Sequence, residues 1–346
     1  MRTIDQFNFC NKKVIIRVDF NVPTENNRIS DTNRIEAAKQ TIDKICLDGG
    51  SCILVSHLGR PSGFQQEFSL KKIIDTVEQI LKKKVLLSND VIGEDSNRKA
   101  TNLKPGEVLL LENVRFHKEE TEGNFNFARE LSQLGDCYVN DAFGAAHRAH
   151  ASTTTISKFF TNKFFGKLLE KEVLAIKKVM STGKKPILAI LGGAKISSKI
   201  PILKNIIKIA DDIIIGGGMS FTFSKALGGN IGKSICEDSM IDTCIDILKT
   251  AKKNNVKIHL PSDVICAIDF DNNSTSKAFE IMNIDDNFQG MDAGPNTLKS
   301  FKNVILRSKT ILWNGPVGVF EFSNFSNGTK QLGKYISDST KKGAFS

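Results

Sequence analysis

Val14-Ile15-Ile16-Arg17-Val18-Asp19-Phe20-Asn21-Val22-Pro23 is the stretch on which the fold turns. Its β-branched run reads as a strand over Val14–Phe20, and Arg17, Asp19 and Asn21 share one face at period 2. A helical pattern follows at Asn33–Leu47, stopped by Gly49-Gly50, and then a second strand at Cys52–Ser56 and a helix at Leu70–Lys84. Val108–Leu111 and Tyr138–Val139 read as further strands around a helix at Phe127–Leu134. The rhythm resumes with strands at Ile187–Leu191, Ile213–Ile215, Val256–Leu260 and Thr310–Trp313. Strands alternating with helices signal an α/β fold, parallel sheets covered by helices. At 346 residues the chain is long enough for two domains. We place the first at 1–160, a connecting helix, Leu168–Met180, within 161–180, and the second at 181–346.

Composition removes several function classes. No apolar run reaches the roughly 18 residues of a membrane span. Met1-Arg2-Thr3-Ile4 opens no cationic-then-apolar signal peptide, so a cytoplasmic protein is expected. Seven cysteines without a Cys-x-x-Cys pair fit reduced thiols, not disulfides or a metal site. The net charge of +10 lies wholly after residue 150, in lysines; residues 1–150 carry 21 Lys+Arg against 21 Asp+Glu. A solvated lysine-rich surface explains this excess, and no aromatic-basic interleaving supports a nucleic-acid partner.

Nine of the ten arginines nevertheless lie in the first 150 residues. Several follow strand ends: Arg17, then Arg60 in Ser56-His57-Leu58-Gly59-Arg60-Pro61, Arg115 after Leu111-Glu112-Asn113, and Arg148 after Asn140-Asp141. Arg34 opens a helix. Ligands of parallel α/β sheets bind beyond the carboxyl ends of the strands, which gathers Arg34, Arg60, Arg115 and Arg148 with His57. Arginines converging without matching acids repel one another unless an anion lies between them, and guanidinium forks suit phosphate and carboxylate. A small ligand with two or more anionic groups is expected there. His117 reads as a loop residue and His259 as part of a strand.

The second half carries three glycine turns after apolar strands: Gly192-Gly193-Ala194-Lys195, Gly216-Gly217-Gly218-Met219 and Asn314-Gly315-Pro316-Val317-Gly318. Glycine lets backbone approach a nucleotide closely. Lys195 and Lys199, four apart, are expected on one helix face, where two ammonium groups would stabilise charge on a transferring phosphoryl group. Gly228–Ser234 resembles a P-loop, but it is one residue short and follows a helix, and no turn reads G-x-G-x-x-G.

Taken in order, Arg17-Val-Asp-Phe-Asn-Val-Pro, Ser56-His-Leu-Gly-Arg-Pro, Leu111-Glu-Asn-Val-Arg-Phe, Asn140-Asp-Ala-Phe-Gly, Ala146-His-Arg-Ala-His, Leu191-Gly-Gly-Ala-Lys, Gly216-Gly-Gly-Met and Trp313-Asn-Gly-Pro-Val-Gly-Val-Phe-Glu resemble the phosphoglycerate kinase family throughout. The resemblance implies two Rossmann-like, doubly wound domains across a cleft, closing by a hinge, in a monomer. It implies reversible phosphoryl transfer between 1,3-bisphosphoglycerate and ADP, giving 3-phosphoglycerate and ATP with Mg²⁺. Arg17, Asp19, Asn21, Arg34, His57, Arg60, Arg115 and Arg148 would bind phosphoglycerate, Arg34 also steadying the transferred group. Lys195 and Lys199 would meet the nucleotide phosphates, and Gly192, Gly193, Gly217, Gly290, Asn314 and Glu321 would shape the nucleotide pocket.

Ala344-Phe345-Ser346 reads as the start of a strand after the helix Gly328–Ser339. The family continues there with a Gly-Gly-Gly-Asp-Thr turn, whose aspartate is its usual Mg²⁺ ligand. The expectation is a chain with little or no kinase activity by itself. The alternatives are a homologue that binds phosphoglycerate without catalysis and an incomplete gene reading. A dehydrogenase would require nicotinamide binding, for which the sequence offers no fingerprint.

Overall fold

In the computed structural model, which describes residues 2–25 and 28–346, alternate residues of the strand Lys13–Arg17 enter two different cores. Val14 and Ile16 pack with Cys52, Leu54 and Ile42, whereas Ile15 packs with Ile53, Val55 and Leu109. A sheet with both faces apolar must be covered on both, and this one is. Its six strands run in the order Val85–Leu87, Val108–Leu110, Ser51–Val55, Lys13–Arg17, Cys137–Asn140 and Lys163–Phe165. Every pairing is parallel. The chain reverses its direction of winding beside Lys13–Arg17, so the loops after its neighbours diverge and leave a crevice.

The chain divides into two compact units, Met1–Ala175 and Ile176–Ser346, and one helix, Lys167–Thr182, passes from the first into the second. The second unit holds a parallel sheet ordered Lys257–His259, Asp212–Ile215, Ile187–Leu191 and Thr310–Asn314. Leu188 and Ile190 enter one core, Ala189 and Leu191 the other. A separate antiparallel sheet, Ser276–Glu280, Asp263–Ala267 and Gln289–Ala293, was not foreseen; its first strand is largely exposed and gives no apolar run to read.

Two elements depart from expectation for identifiable reasons. The first strand ends at Arg17, because Phe20 N–H donates to Ser56 Oγ (2.8 Å) and Asn21 N–H to Asp19 Oδ1 (3.2 Å), bending the chain away. The helix expected at Leu70–Lys84 opens as a 3₁₀ turn, Leu70–Ile73, and is α-helical only over Ile74–Leu81. Ser69 Oγ accepts from Lys71 N–H, and Lys82 then stops the helix at φ +53°. Gly343, at φ +95°, follows the last helix, Asn327–Lys341, and Phe345 makes an isolated parallel bridge to Thr310. Among the described residues no helix is long and apolar enough to cross a membrane.

Candidate functional site

In the first unit the cations arrive on loops that buried polar side chains fasten together. Asn113 donates from its amide to Leu58 O (2.8 Å) and Phe68 O (2.9 Å), and its oxygen accepts from Arg115 N–H (3.0 Å). Glu112 accepts from Ser69 Oγ (2.6 Å) and Leu70 N–H (2.8 Å). The loop of Arg60 is thereby held to the loop of Arg115, whose Nη1 donates to Gly59 O at 2.5 Å. Arg60, Arg115 and Arg148 line one cavity of about 720 Å³ together with His117, Lys118 and His150.

Two arginines differ from expectation. Arg34 has a local acid after all: it pairs with Asp19 at 3.2 Å and donates to Asn21 O at 2.9 Å. Asn21 in turn accepts from Gly59 N–H (2.8 Å), so Asp19, Asn21 and Arg34 form a bonded group adjoining the Arg60 loop rather than lining the cavity. Arg17 lies beneath the site, 1% exposed, because the strand carries it on the same side as Ile15. Its nitrogens are committed to Ser152 Oγ (2.7 Å), His57 Nδ1 (3.1 Å) and Val18 O. Ser152 Oγ donates onward to Glu120 Oε1 (2.6 Å), and Ser152 N–H to Glu120 Oε2 (2.8 Å). Glu120, fully buried, is the acid that balances Arg17. The sequence reading missed it, since a Glu-Glu pair in a charged turn looks like solvated surface.

Burial, then the charges of Arg17, Arg115, Arg148 and Arg34, lower the His57 pKa to about 2. The histidine is neutral, and the four guanidinium groups act on one small volume. Arg115 is lowered by burial and next by Arg148. Such mutual repulsion is relieved when an anion binds.

In the second unit the three glycine turns interlock through their backbones. Gly192 N–H donates to Asn314 O (3.0 Å), Gly193 N–H to Pro316 O (2.9 Å) and Met219 N–H to Gly193 O (3.0 Å). A methyl on Gly192 would lie 2.0 Å from Pro316 O, so no side chain fits between these turns. Above them is a mainly apolar cavity of about 440 Å³, lined by Gly193, Gly217, Phe221, Gly290, Val317 and Glu321, among others. Gly290 is required by Phe221, whose ring a Cβ would meet at 1.9 Å. The cavity offers a flat aromatic ligand a slot with few polar handles. One handle, Asp292, is pushed up to about 6 by burial and accepts from Gly328 and Ala293 N–H. Gly192 builds the floor without lining the cavity, and Asn314 accepts from the Lys199 ammonium.

Lys195 and Lys199 do not share a helix face. The helix spans only Ile200–Ile206, with Lys199 as its cap. Ser197 and Ser198 favour a turn instead: Ser198 Oγ donates to Lys195 O (2.9 Å), and Glu237 accepts from Ser197 N–H (3.0 Å) and Oγ (2.6 Å). Pro201 follows in the first helical turn, where its missing N–H costs nothing. Both lysines therefore flank one turn beyond the strand Ile187–Leu191, and burial lowers the pKa of Lys199. The P-loop look-alike follows the helix Met219–Ala226 and serves as a buttress, Ser234 Oγ accepting from Gly290 N–H (2.9 Å). His259 sits in the strand Lys257–His259, bonded to Asp212 at 2.7 Å.

A phosphoglycerate kinase family model matches residues 4–346. A phosphoglycerate kinase of Porphyromonas gingivalis is 47% identical over 99% of this chain and 88% of its own length. One from Chloroherpeton thalassium is 44% identical over 99% and 87%. The crystal structure of phosphoglycerate kinase from Pyrococcus horikoshii superposes with a TM-score of 0.82 at 27% identity, covering 98% of this chain and 86% of that one. The structure of the enzyme from Coxiella burnetii gives 0.78 at 38% identity, with the same coverage. The family model spans nearly the whole chain and these relatives are 44–47% identical over 99% of it, so the chain belongs to the phosphoglycerate kinase family.

Proposed function

We propose that the arginine-lined basin is the phosphoglycerate site and the glycine-floored cavity the nucleotide site of the family's reaction. That reaction is the reversible transfer of a phosphoryl group between 1,3-bisphosphoglycerate and ADP, giving 3-phosphoglycerate and ATP. The observation that carries the reading is the convergence of Arg60, Arg115 and Arg148 on one cavity, whose charges also reach His57 outside its lining. Phosphoglycerate has a phosphate and a carboxylate at its two ends, and several guanidinium forks can take both. Asp19, Asn21 and Arg34 would orient the substrate, with Arg34 also steadying the transferred group. Arg17 supports the site from below.

On the nucleotide side, Gly193, Gly217 and Gly290 leave room for the base, and Glu321 would take a ribose hydroxyl. Lys195 and Lys199 would meet phosphate oxygens and the charge that develops in transfer. The acceptor oxygen is already ionised, so no base or covalent nucleophile is needed; positioning and charge stabilisation do the work. Magnesium, when bound with the nucleotide, would neutralise part of its phosphate charge. Among the described residues no group of three or more His, Cys, Asp or Glu side chains could hold a metal. We place the enzyme in the cytoplasm as a monomer.

Calorimetric titration with 3-phosphoglycerate and ADP, alongside a coupled turnover assay, tests this. Binding of each ligand that is lost selectively in Arg60→Ala and Gly217→Val is expected. If Arg60→Ala weakens ADP instead, or leaves 3-phosphoglycerate untouched, the assignment of the two sites fails.

A further inference from the structure

Arg17 is buried, is absent from the lining of the arginine cavity, and yet is bonded to the histidine on which Arg34, Arg115 and Arg148 also bear. A guanidinium has five N–H donors and no acceptor. At 3.1 Å from Arg17 Nη2, His57 Nδ1 must therefore be the acceptor, which excludes a proton on that nitrogen. Asp19 Oδ1 stands at 3.9 Å from the same atom, too far to draw a proton to it. The ring is then neutral, with its proton on Nε2. Among the described residues no hydrogen bond engages Nε2, and it is not among the buried atoms left without a partner, so it keeps contact with solvent.

Arg17 holds this geometry only because it is itself held. Ser152 Oγ accepts from Arg17 Nε and donates to the fully buried Glu120, whose other oxygen takes Ser152 N–H. We propose that Glu120, Ser152 and Arg17 are positioning residues that lock His57, which stands outside the lining of the arginine cavity, as the Nε2–H tautomer, so that its free N–H is offered to an anion drawn in by the arginines. An imidazolium would attract the anion more strongly but would lose that proton near neutrality; a locked neutral ring donates one hydrogen bond at every pH. The groups facing His57 are Arg17, Asp19, Arg34, Arg115 and Arg148, and the cations among them all oppose its protonation. The proposal rests on the assignment of the basin to phosphoglycerate only for the identity of the ligand.

The test is nitrogen NMR on the ligand-free, histidine-labelled chain, with His57→Gln used to assign the signal. A protonated Nε2 and a pyridine-like Nδ1, unchanged from about pH 5 to 8, are expected. A protonated Nδ1, or a ring that titrates in that window, overturns the lock. In Glu120→Gln and Ser152→Ala the ring, still neutral, should populate both tautomers. The KM for 3-phosphoglycerate should then rise roughly tenfold while that for nucleotide stays unchanged. Variants that fold, raise KM and leave the tautomer fixed would make these residues merely structural; if they do not fold, the wild-type spectrum decides alone. A locked tautomer in a chain that fails to bind 3-phosphoglycerate would instead sink the site assignment, whereas binding with a mobile tautomer sinks only the lock.

Discussion

In residues 1–175 the cavity walls are charged side chains held by a buried polar network, whereas in residues 176–346 they are backbone turns and apolar rings. Asn113, Glu112 and the Glu120–Ser152–Arg17 relay spend buried hydrogen bonds on aiming cations. The glycine turns are joined to one another N–H to carbonyl and leave a slot. The first arrangement recognises charge and tolerates variation in shape. The second recognises shape and is nearly indifferent to charge, with one exception at the Lys195–Lys199 turn.

That exception should give the largest effect. Lys199→Ala is expected to lower kcat by roughly 10²–10³, the usual cost of removing a preorganised charge from a transferring group. The KM for 3-phosphoglycerate should not move; a coupled assay in the direction of ATP consumption reads both. Gly192→Ala comes next. Its methyl meets a carbonyl oxygen, so the turns must separate, and the loss in nucleotide affinity should be about 100-fold. Calorimetry with 3-phosphoglycerate on the same variant checks that the first unit is intact.

Arg115→Ala should weaken 3-phosphoglycerate by about thirtyfold, one charge-assisted hydrogen-bond set. Raising the salt should weaken 3-phosphoglycerate binding in the wild type but leave adenosine binding flat. A common salt dependence would erase the distinction between the two sites.

The smallest effect concerns Asp292, whose pKa is raised to about 6 in the folded chain. The folded state then holds this proton more tightly than the unfolded one. Stability is therefore highest below the ordinary carboxyl value and falls as pH rises through about 6. Asp292→Asn removes the titrating group and should flatten this slope in the second unit. Hydrogen exchange at Gly328 and Ala293, whose N–H groups Asp292 accepts, follows it directly.

Eight of the ten strands in the two parallel sheets were legible as short apolar runs bounded by glycine or a polar strand end, whereas Val85–Leu87, Lys163–Phe165 and the antiparallel sheet were not read. The helices Asn33–Leu47 and Asn327–Lys341 were legible through periodicity and their terminal glycines. Convergence of Arg60, Arg115 and Arg148 followed from their places after strand ends, although the same reasoning also gathered Arg34 and His57, which do not line that cavity. What sequence could not show is which charges are spent internally. Arg17 and Arg60 look alike in a string, yet one is buried under the site and the other lines it. The pairing of Arg34 with Asp19 and the burial of Glu120 depend on loops whose path is set by distant partners, Ser56 and Ser152 among them. The lysine pair was misplaced on a helix because spacing by four is silent about where a helix begins.

The alternation in Lys13–Arg17 has a consequence for how such a chain can change in length. Ile15 and Arg17 point to one side of the sheet, Val14 and Ile16 to the other. Deleting a single residue within this strand would turn the guanidinium toward hydrocarbon and bring an isoleucine to His57. Insertions and deletions should therefore be absent from this segment while accumulating in the turns around it, which makes the strand a ruler against which the rest of the basin is measured.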